Sequence, residues 1–260
     1  MILTHRPAPN LQTLTGDLIA LLEREKRRGR DYLRLGPAGR QTLAVLTASV
    51  AAGRPGTPAR MRSTAGPPRI EAGPALEQLH EKIRNCRSCP LGGGRRQAVP
   101  GEGPATADVM VVGEGPGEEE DRLGQPFVGP AGELLTRMLL AIDLPREKVF
   151  IGNVVKCRPP GNRNPEAGEI RACFPFLQEQ VRLIKPRLLV ALGGVAARAL
   201  TGSERGISEI RGKSFSWEGR LVIPTYHPAY LLRSPEYKRE AWEDLKKIRR
   251  ELERLIANDL

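Results

Sequence analysis

From Ala75 onward, nearly continuous apolar runs alternate with amphipathic stretches. ADVMVVG (107–113), VFIGNVVK (149–156), RLLVALGG (187–194) and LVIPTYH (221–227) have strand length and are rich in Val, Ile and Leu, as strands buried on both faces must be. GPAGELLTRMLLAIDL (129–144), NPEAGEIRACFPFLQEQVRLIKP (164–186) and GVAARALTG (194–202) separate them with apolar residues at helical spacing, and YKREAWEDLKKIRRELERLIA (237–257) closes the chain as a charged amphipathic helix. This order predicts a three-layer α/β/α domain over residues 76–260 around a central, mostly parallel four-stranded sheet. Right-handed crossovers would gather the loops after the strands along one edge, where α/β proteins place their sites.

The pattern before residue 76 is different. DLIALLEREKRRGR (17–30) carries Leu18, Ile19, Leu21 and Leu22 at helical spacing before a basic cluster, and LAVLTASVAAG (43–53) ends on Gly53, which predicts a small helical extension over residues 1–52. Residues 53–75 are rich in Gly and Pro with few large apolar side chains, the composition of a flexible linker. Residues 1–75 hold twelve Lys/Arg against five Asp/Glu, so most of the +11 net charge of the 260-residue chain sits there. Such a balance favours a polyanionic partner, and the extension reads equally as an arm for DNA or a repair or replication protein and as a solvated helix pair. No apolar run approaches the length of a membrane span, and MILTHRPAPN lacks the order of a secretory signal, so a soluble cytoplasmic monomer is expected.

Candidate chemistry follows the strand ends. The first strand runs into Gly113-Glu114-Gly115-Pro116-Gly117 and then Glu118, Glu119, Glu120 and Asp121. A phosphate cradle needs free backbone N–H groups and a helix N-terminus without neighbouring acids, which argues against a nucleotide-binding loop. A carboxylate on such a turn suits a site where positive charge develops, because it activates water and stabilises a cationic transition state. Cys86 and Cys89 form a C-x-x-C, and Cys157 and Cys173 bring the ligand count to four, which fits zinc and an iron–sulphur cluster alike. Arg158 and Arg163 in RPPGNRNP (158–165) are placed to approach a sugar-phosphate backbone, and His227 follows the last strand in a chain with three histidines. A non-catalytic, metal-containing nucleic-acid-binding module accounts for the charge and cysteines, but it leaves Glu114, Asn153 and His227 without a joint task.

GEGPGEEED (113–121), GQPFVGPAG (124–132), NVVKCRPPGNRNP (153–165) and HPAYLLR (227–233), with the cysteines in this spacing, together resemble the family 4 uracil-DNA glycosylases, the iron–sulphur branch of that superfamily. The resemblance covers about residues 76–255 and is silent on the extension. It implies a monofunctional enzyme that flips uracil out of single- or double-stranded DNA and hydrolyses its glycosidic bond. By the same resemblance Glu114 activates water or stabilises the sugar cation, with Glu120 second, on a turn that includes Gly115. Phe127 stacks on the extruded base, Asn153 reads uracil N3–H and O4, His227 hydrogen-bonds O2, and Arg233 reaches the DNA backbone. Cys86, Cys89, Cys157 and Cys173 hold a structural 4Fe-4S cluster. A related branch that becomes covalently trapped on DNA carries a histidine in a basic loop, whereas SERGISEIRGKSF (203–215) has none, which implies turnover.

Overall fold

A computed structural model of the chain describes residues 73–258, so the readings made for residues 1–52 and most of the 53–75 linker lie outside the described residues. Strands β1 (Val109–Gly113), β2 (Val149–Asn153), β3 (Leu188–Leu192), β4 (Phe215–Trp217) and β5 (Arg220–Thr225) form one sheet in the order β2-β1-β3-β5-β4. β1 pairs in parallel with β2 and β3, β3 pairs in parallel with β5, and β4 is antiparallel to β5. The four parallel strands are those expected from the apolar runs. The fifth, β4, is a three-residue edge strand joined to β5 by a tight turn, too short for the alternation of its side chains to register as a strand.

Every residue of β1, β2 and β3 is buried, because the sheet is covered on both faces. Met110 and Val112 point into one core with Leu177, Val181 and Leu200, while Val109 and Val111 point into the other with Leu135, Leu139, Leu245 and Ile248. Helices Pro74–Asn85, Ala167–Ile184 and Gly193–Thr201 therefore supply one outer layer, and Pro130–Leu140, Pro228–Arg233 and Lys238–Ala257 the other. The long helix from Ala167 opens on a capping box in which Glu169 accepts the N–H of Glu166, and it stops at Lys185 in the left-handed conformation before Pro186. Pro224 lies inside β5, where its missing N–H costs no ladder bond. β4 pairs only as far as Val222, and on that side the Pro224 carbonyl accepts the Gly212 N–H at 2.8 Å.

Candidate active site

The C-terminal ends of β1, β2 and β3 and the turn after β5 open into one cavity of about 460 Å³. Glu114, Gly115, Glu120, Phe127, Asn153, His227 and Arg233 all line it, so residues separated by up to 119 positions meet there. The sheet produces this convergence. Gly113 and Asn153 are register partners at the last rung of β1 and β2, and the ladder continues into the turns through Val154 N–H to Gly113 O (2.9 Å) and Val155 N–H to Glu114 O (3.1 Å).

Two glycines permit the packing around the cavity floor. A Cβ on Gly113 would stand 2.4 Å from Asn153 Oδ1 and 2.6 Å from Phe127 Cζ, and one on Gly132 would stand 1.8 Å from the Phe127 carbonyl oxygen. Phe127 itself has a positive φ of 51°, a conformation that costs a bulky residue of order 1 kcal/mol or more and persists only when neighbours enforce it. The neighbours are identifiable. Arg146 donates to the carbonyls of Pro126 and Phe127, while Glu120 Oε1 accepts from Val128 N–H (2.9 Å) and Gly129 N–H (3.0 Å). The ring of Phe127 is held with its centroid 5.6 Å from that of His227 and the planes inclined by 31°.

The acids of the turn have separate tasks. Glu120 also accepts the Gly117 N–H through Oε2 at 3.1 Å, so three backbone donors engage its carboxylate. Asp121 is buried and accepts from Arg96 and Gln97 N–H, and Glu119 pairs with Arg122 at 2.6 Å. These acids occupy the first turn of helix Glu118–Leu123, where the helix dipole favours negative charge. Glu114 is different: half-buried, with no cation or hydrogen-bond donor on its side chain among the described residues. Burial alone raises its carboxyl above the ordinary range.

Asn153 is 1% exposed, and its Oδ1 has no hydrogen-bond partner. Burying an amide oxygen without a donor costs about 1–3 kcal/mol, so an orphan acceptor on a cavity wall is a group left ready for a ligand donor. His227 caps helix Pro228–Arg233, its Nδ1 accepting the Ala229 N–H at 3.1 Å. That bond places the imidazole proton on Nε2. Burial, reinforced by the charge of Arg233, lowers the His227 pKa to about 4 and keeps the ring neutral near pH 7.

Arg158 and Arg163 are less free than the loop composition suggested. Arg163 forms a two-pronged ion pair with buried Glu169 at 2.9 and 2.7 Å, and Arg158 donates to Asn162 at 2.8 Å. These bonds shape the loop that walls the cavity with Pro159, Asn162 and Asn164. Tyr226, Tyr230 and the Gly193-Gly194 pair also line the cavity and were not singled out in the sequence. The glycine pair directly follows the apolar run of β3, and that position at a strand end was the available signal.

The four cysteines line a second, narrow cavity with Arg95 and Lys156, and none is in a disulfide. Arg95 Nη1 donates to Cys157 Sγ at 2.8 Å, Lys156 N–H to Cys173 Sγ at 3.2 Å and Ser88 N–H to Cys86 Sγ at 3.4 Å. Burial raises the Cys157 thiol and pushes Cys173 up to about 11, so both are neutral until a cation or cluster draws off their protons. Among the described residues, no three His, Cys, Asp or Glu side chains close on a single ion position. The donor set nonetheless suits a soft metal centre, zinc or iron–sulphur: four sulphurs around one cavity, with N–H groups already directed at three of them.

Comparison with known proteins agrees with this geometry. Residues 100–246 match the uracil DNA glycosylase superfamily. A type-4 uracil-DNA glycosylase of Sulfurisphaera tokodaii is 47% identical over 185 residues, covering 67% of this chain and 84% of the relative. Those of Pyrobaculum aerophilum (46% identical; 65% of this chain, 91% of the relative) and Thermotoga maritima (47%; 66% and 92%) are similarly close. A family match over more than half of the chain and relatives covered over most of their length leave one assignment: the chain belongs to the uracil DNA glycosylase superfamily, among its type-4 members.

Proposed function

We propose that this chain excises uracil from DNA as a monofunctional glycosylase, hydrolysing the N-glycosidic bond and leaving an intact abasic site. The observation that carries the reading is the buried, unpartnered Oδ1 of Asn153 on the wall of a cavity that also presents Phe127, His227 and Glu114. Uracil N3–H is the donor this oxygen lacks, and the Asn153 amide N–H₂ donates to O4. Cytosine reverses that pattern with an unprotonated N3 and an N4–H₂ donor.

A uracil stacked in a duplex hides its glycosidic bond, so it must be flipped out at a cost of a few kcal/mol, less from a mispair or a single strand. Stacking on Phe127 returns roughly 1–3 kcal/mol. As the C1′–N1 bond breaks, its electron pair moves to uracil and cation character builds on the sugar. His227 Nε2–H donates to O2 as negative charge grows there, and Glu114 stabilises the sugar and accepts a proton from the water that bonds to C1′. Glu120 acts as a positioning residue, because its backbone bonds hold the Phe127 loop. Arg233 at the cavity rim holds the DNA backbone. No lysine lines the cavity among the described residues to serve as a Schiff-base nucleophile, which supports the monofunctional reading.

Cys86, Cys89, Cys157 and Cys173 hold a 4Fe-4S cluster in this reading. Its contribution is structural, since hydrolysis moves no electrons. It would pin the segment after Asn153 to the helix that carries Cys173 and to the turn after helix Pro74–Asn85 that carries Cys86 and Cys89. The protein acts as a cytoplasmic monomer in this reading, with residues 1–52 available to a repair or replication partner, and no helix among the described residues is long and apolar enough to cross a membrane.

The test is release of free uracil from a short single-stranded DNA with one uracil, beside cytosine and thymine controls. Wild type should turn over repeatedly on uracil alone, a Glu114→Gln/His227→Ala variant should be nearly inactive, and Asn153→Asp should lose preference for uracil over cytosine. No release by cluster-loaded wild type would overturn the reading.

A further inference from the structure

Lys156 is 1% exposed, among the largest fully buried side chains of the domain. A buried ammonium is costly unless its protons are bonded and its charge is answered. Its bonds are well formed. Nζ donates to the Asn153 carbonyl at 2.8 Å and to Gln180 Oε1 at 2.6 Å, and Gln180 Nε2 donates onward to the Pro100 carbonyl at 2.7 Å. The backbone of Lys156 is equally committed, its N–H to Cys173 Sγ at 3.2 Å and its carbonyl to Val99 N–H at 2.8 Å. No carboxylate pairs with Lys156 among the described residues, and the groups of opposite potential charge facing it are Cys173 and Cys157. Gln180, from the helix that carries Cys173, is its one side-chain hydrogen-bond partner among the described residues.

Apolar side chains would fill this space at lower cost, so a buried amine with these committed bonds calls for a further account. Its position supplies one. Lys156 grips the peptide of the residue whose side-chain amide faces the base cavity, and it sits one residue before a cysteine of the second cavity. We propose that Lys156 is a positioning residue that fixes the base-reading amide of Asn153 and ties it to the cysteine site, through its Nζ bond to the Asn153 carbonyl and its backbone N–H bond to Cys173 Sγ. The proposal rests on the reading of Asn153 as the base reader. Its physical content is that the amide must be immobile before the base arrives, because a displacement of about 1 Å at such a site costs about 100-fold in rate.

Lys156→Met keeps an unbranched side chain one atom shorter and removes the Nζ donors. In this variant kcat for uracil release should fall about 100-fold while KM for the oligonucleotide stays within about threefold, since DNA contacts are untouched. Lys156→Gln, which retains a neutral donor, should recover part of the loss. Two readouts do not depend on activity. The side-chain N–H₂ resonances of Asn153 in ¹⁵N-labelled protein should shift and broaden in Lys156→Met, and a chelator should bleach its cluster absorbance faster than that of wild type. If Lys156→Met does not fold, Gln180→Met supplies the same test by loosening the anchor of Nζ while leaving the lysine, with a loss of about 10-fold in kcat expected. A kcat within about twofold of wild type with unmoved Asn153 resonances, in whichever variant folds, would overturn the proposal. Failure of wild type to release uracil would instead sink the glycosylase reading, and the resonance and bleaching results would still decide the link between Lys156, Asn153 and the cysteine site.

Discussion

His227 accepts the Ala229 N–H on Nδ1, and this single bond at 3.1 Å decides which face of the imidazole carries a proton toward the base cavity. With its pKa lowered to about 4, the ring donates from Nε2 as a neutral group throughout the physiological range. In the proposed reaction it would therefore stabilise a developing anion without first being protonated, and leave the cation-stabilising task to Glu114.

The pH–rate profile should separate the two. In the proposed reaction Glu114 works ionised, and burial raises its pKa, so activity should fall as pH drops through that raised value, with no limb near the ordinary histidine pKa. His227→Gln keeps a donor of different reach and should lower kcat about 100-fold without moving the acidic limb. Single-turnover rates across pH check this, and a limb that moves with His227→Gln would reverse the assignments.

Gly113→Ala should damage the site more than the fold. The new methyl would meet Asn153 Oδ1 at 2.4 Å and the Phe127 ring at 2.6 Å, at the end of a strand whose pairing is otherwise intact. Overpacking of this kind costs about 1–3 kcal/mol. Thermal unfolding should show that modest loss, while uracil release should drop by far more than the stability change explains. Full activity in this variant would mean that Asn153 and Phe127 need not be where they stand.

Stability should fall on mild acidification. His80 and His227 both have pKa values lowered to about 4 by burial, against about 6.5 in the unfolded chain. Below about pH 6.5 the unfolded chain takes up protons that the folded protein refuses, so the stabilisation is complete above that pH and is lost as pH falls toward 4, by about 1.4 kcal/mol per pH unit for each histidine. Urea unfolding of wild type and His80→Leu between about pH 7.5 and 5.5 measures the difference, and the variant should show roughly half the slope. Equal slopes would show that His80 is not buried neutral.

The cysteine site predicts colour. Purified protein should be brown and contain iron, and Cys173→Ser should lose both along with a substantial part of its thermal stability, because a metal centre bound only by the folded state adds its binding free energy to folding. Colourless protein with stoichiometric zinc would replace the cluster with a different ion.

Much of this molecule is legible in its sequence. Runs such as VMVVG and LLVAL are apolar at every position because helices cover both faces of the sheet, and that pattern fixes strand, layer and parallel order without coordinates. Glu114 and His227 stand directly after strands, and the resemblance to the family 4 uracil-DNA glycosylases added Phe127 and Asn153, so all four were candidates before any contact was known. Strand β4 escaped because three residues of a hairpin edge carry no period. Composition left the acids Glu118 to Asp121 alike, yet the fold gave Glu120 three backbone donors and Asp121 a loop to hold, and left Glu114 without a partner among the described residues. Asn153 has an orphan oxygen, and Lys156 a buried grip on its carbonyl, only because β2 ends where Gly113 has no side chain and the helix from Ala167 passes beneath. Periodicity is a property of neighbours along the chain, so it survives in the sequence. Hydrogen-bond commitment and desolvation depend on groups brought from far along the chain, and only the tertiary structure decides them.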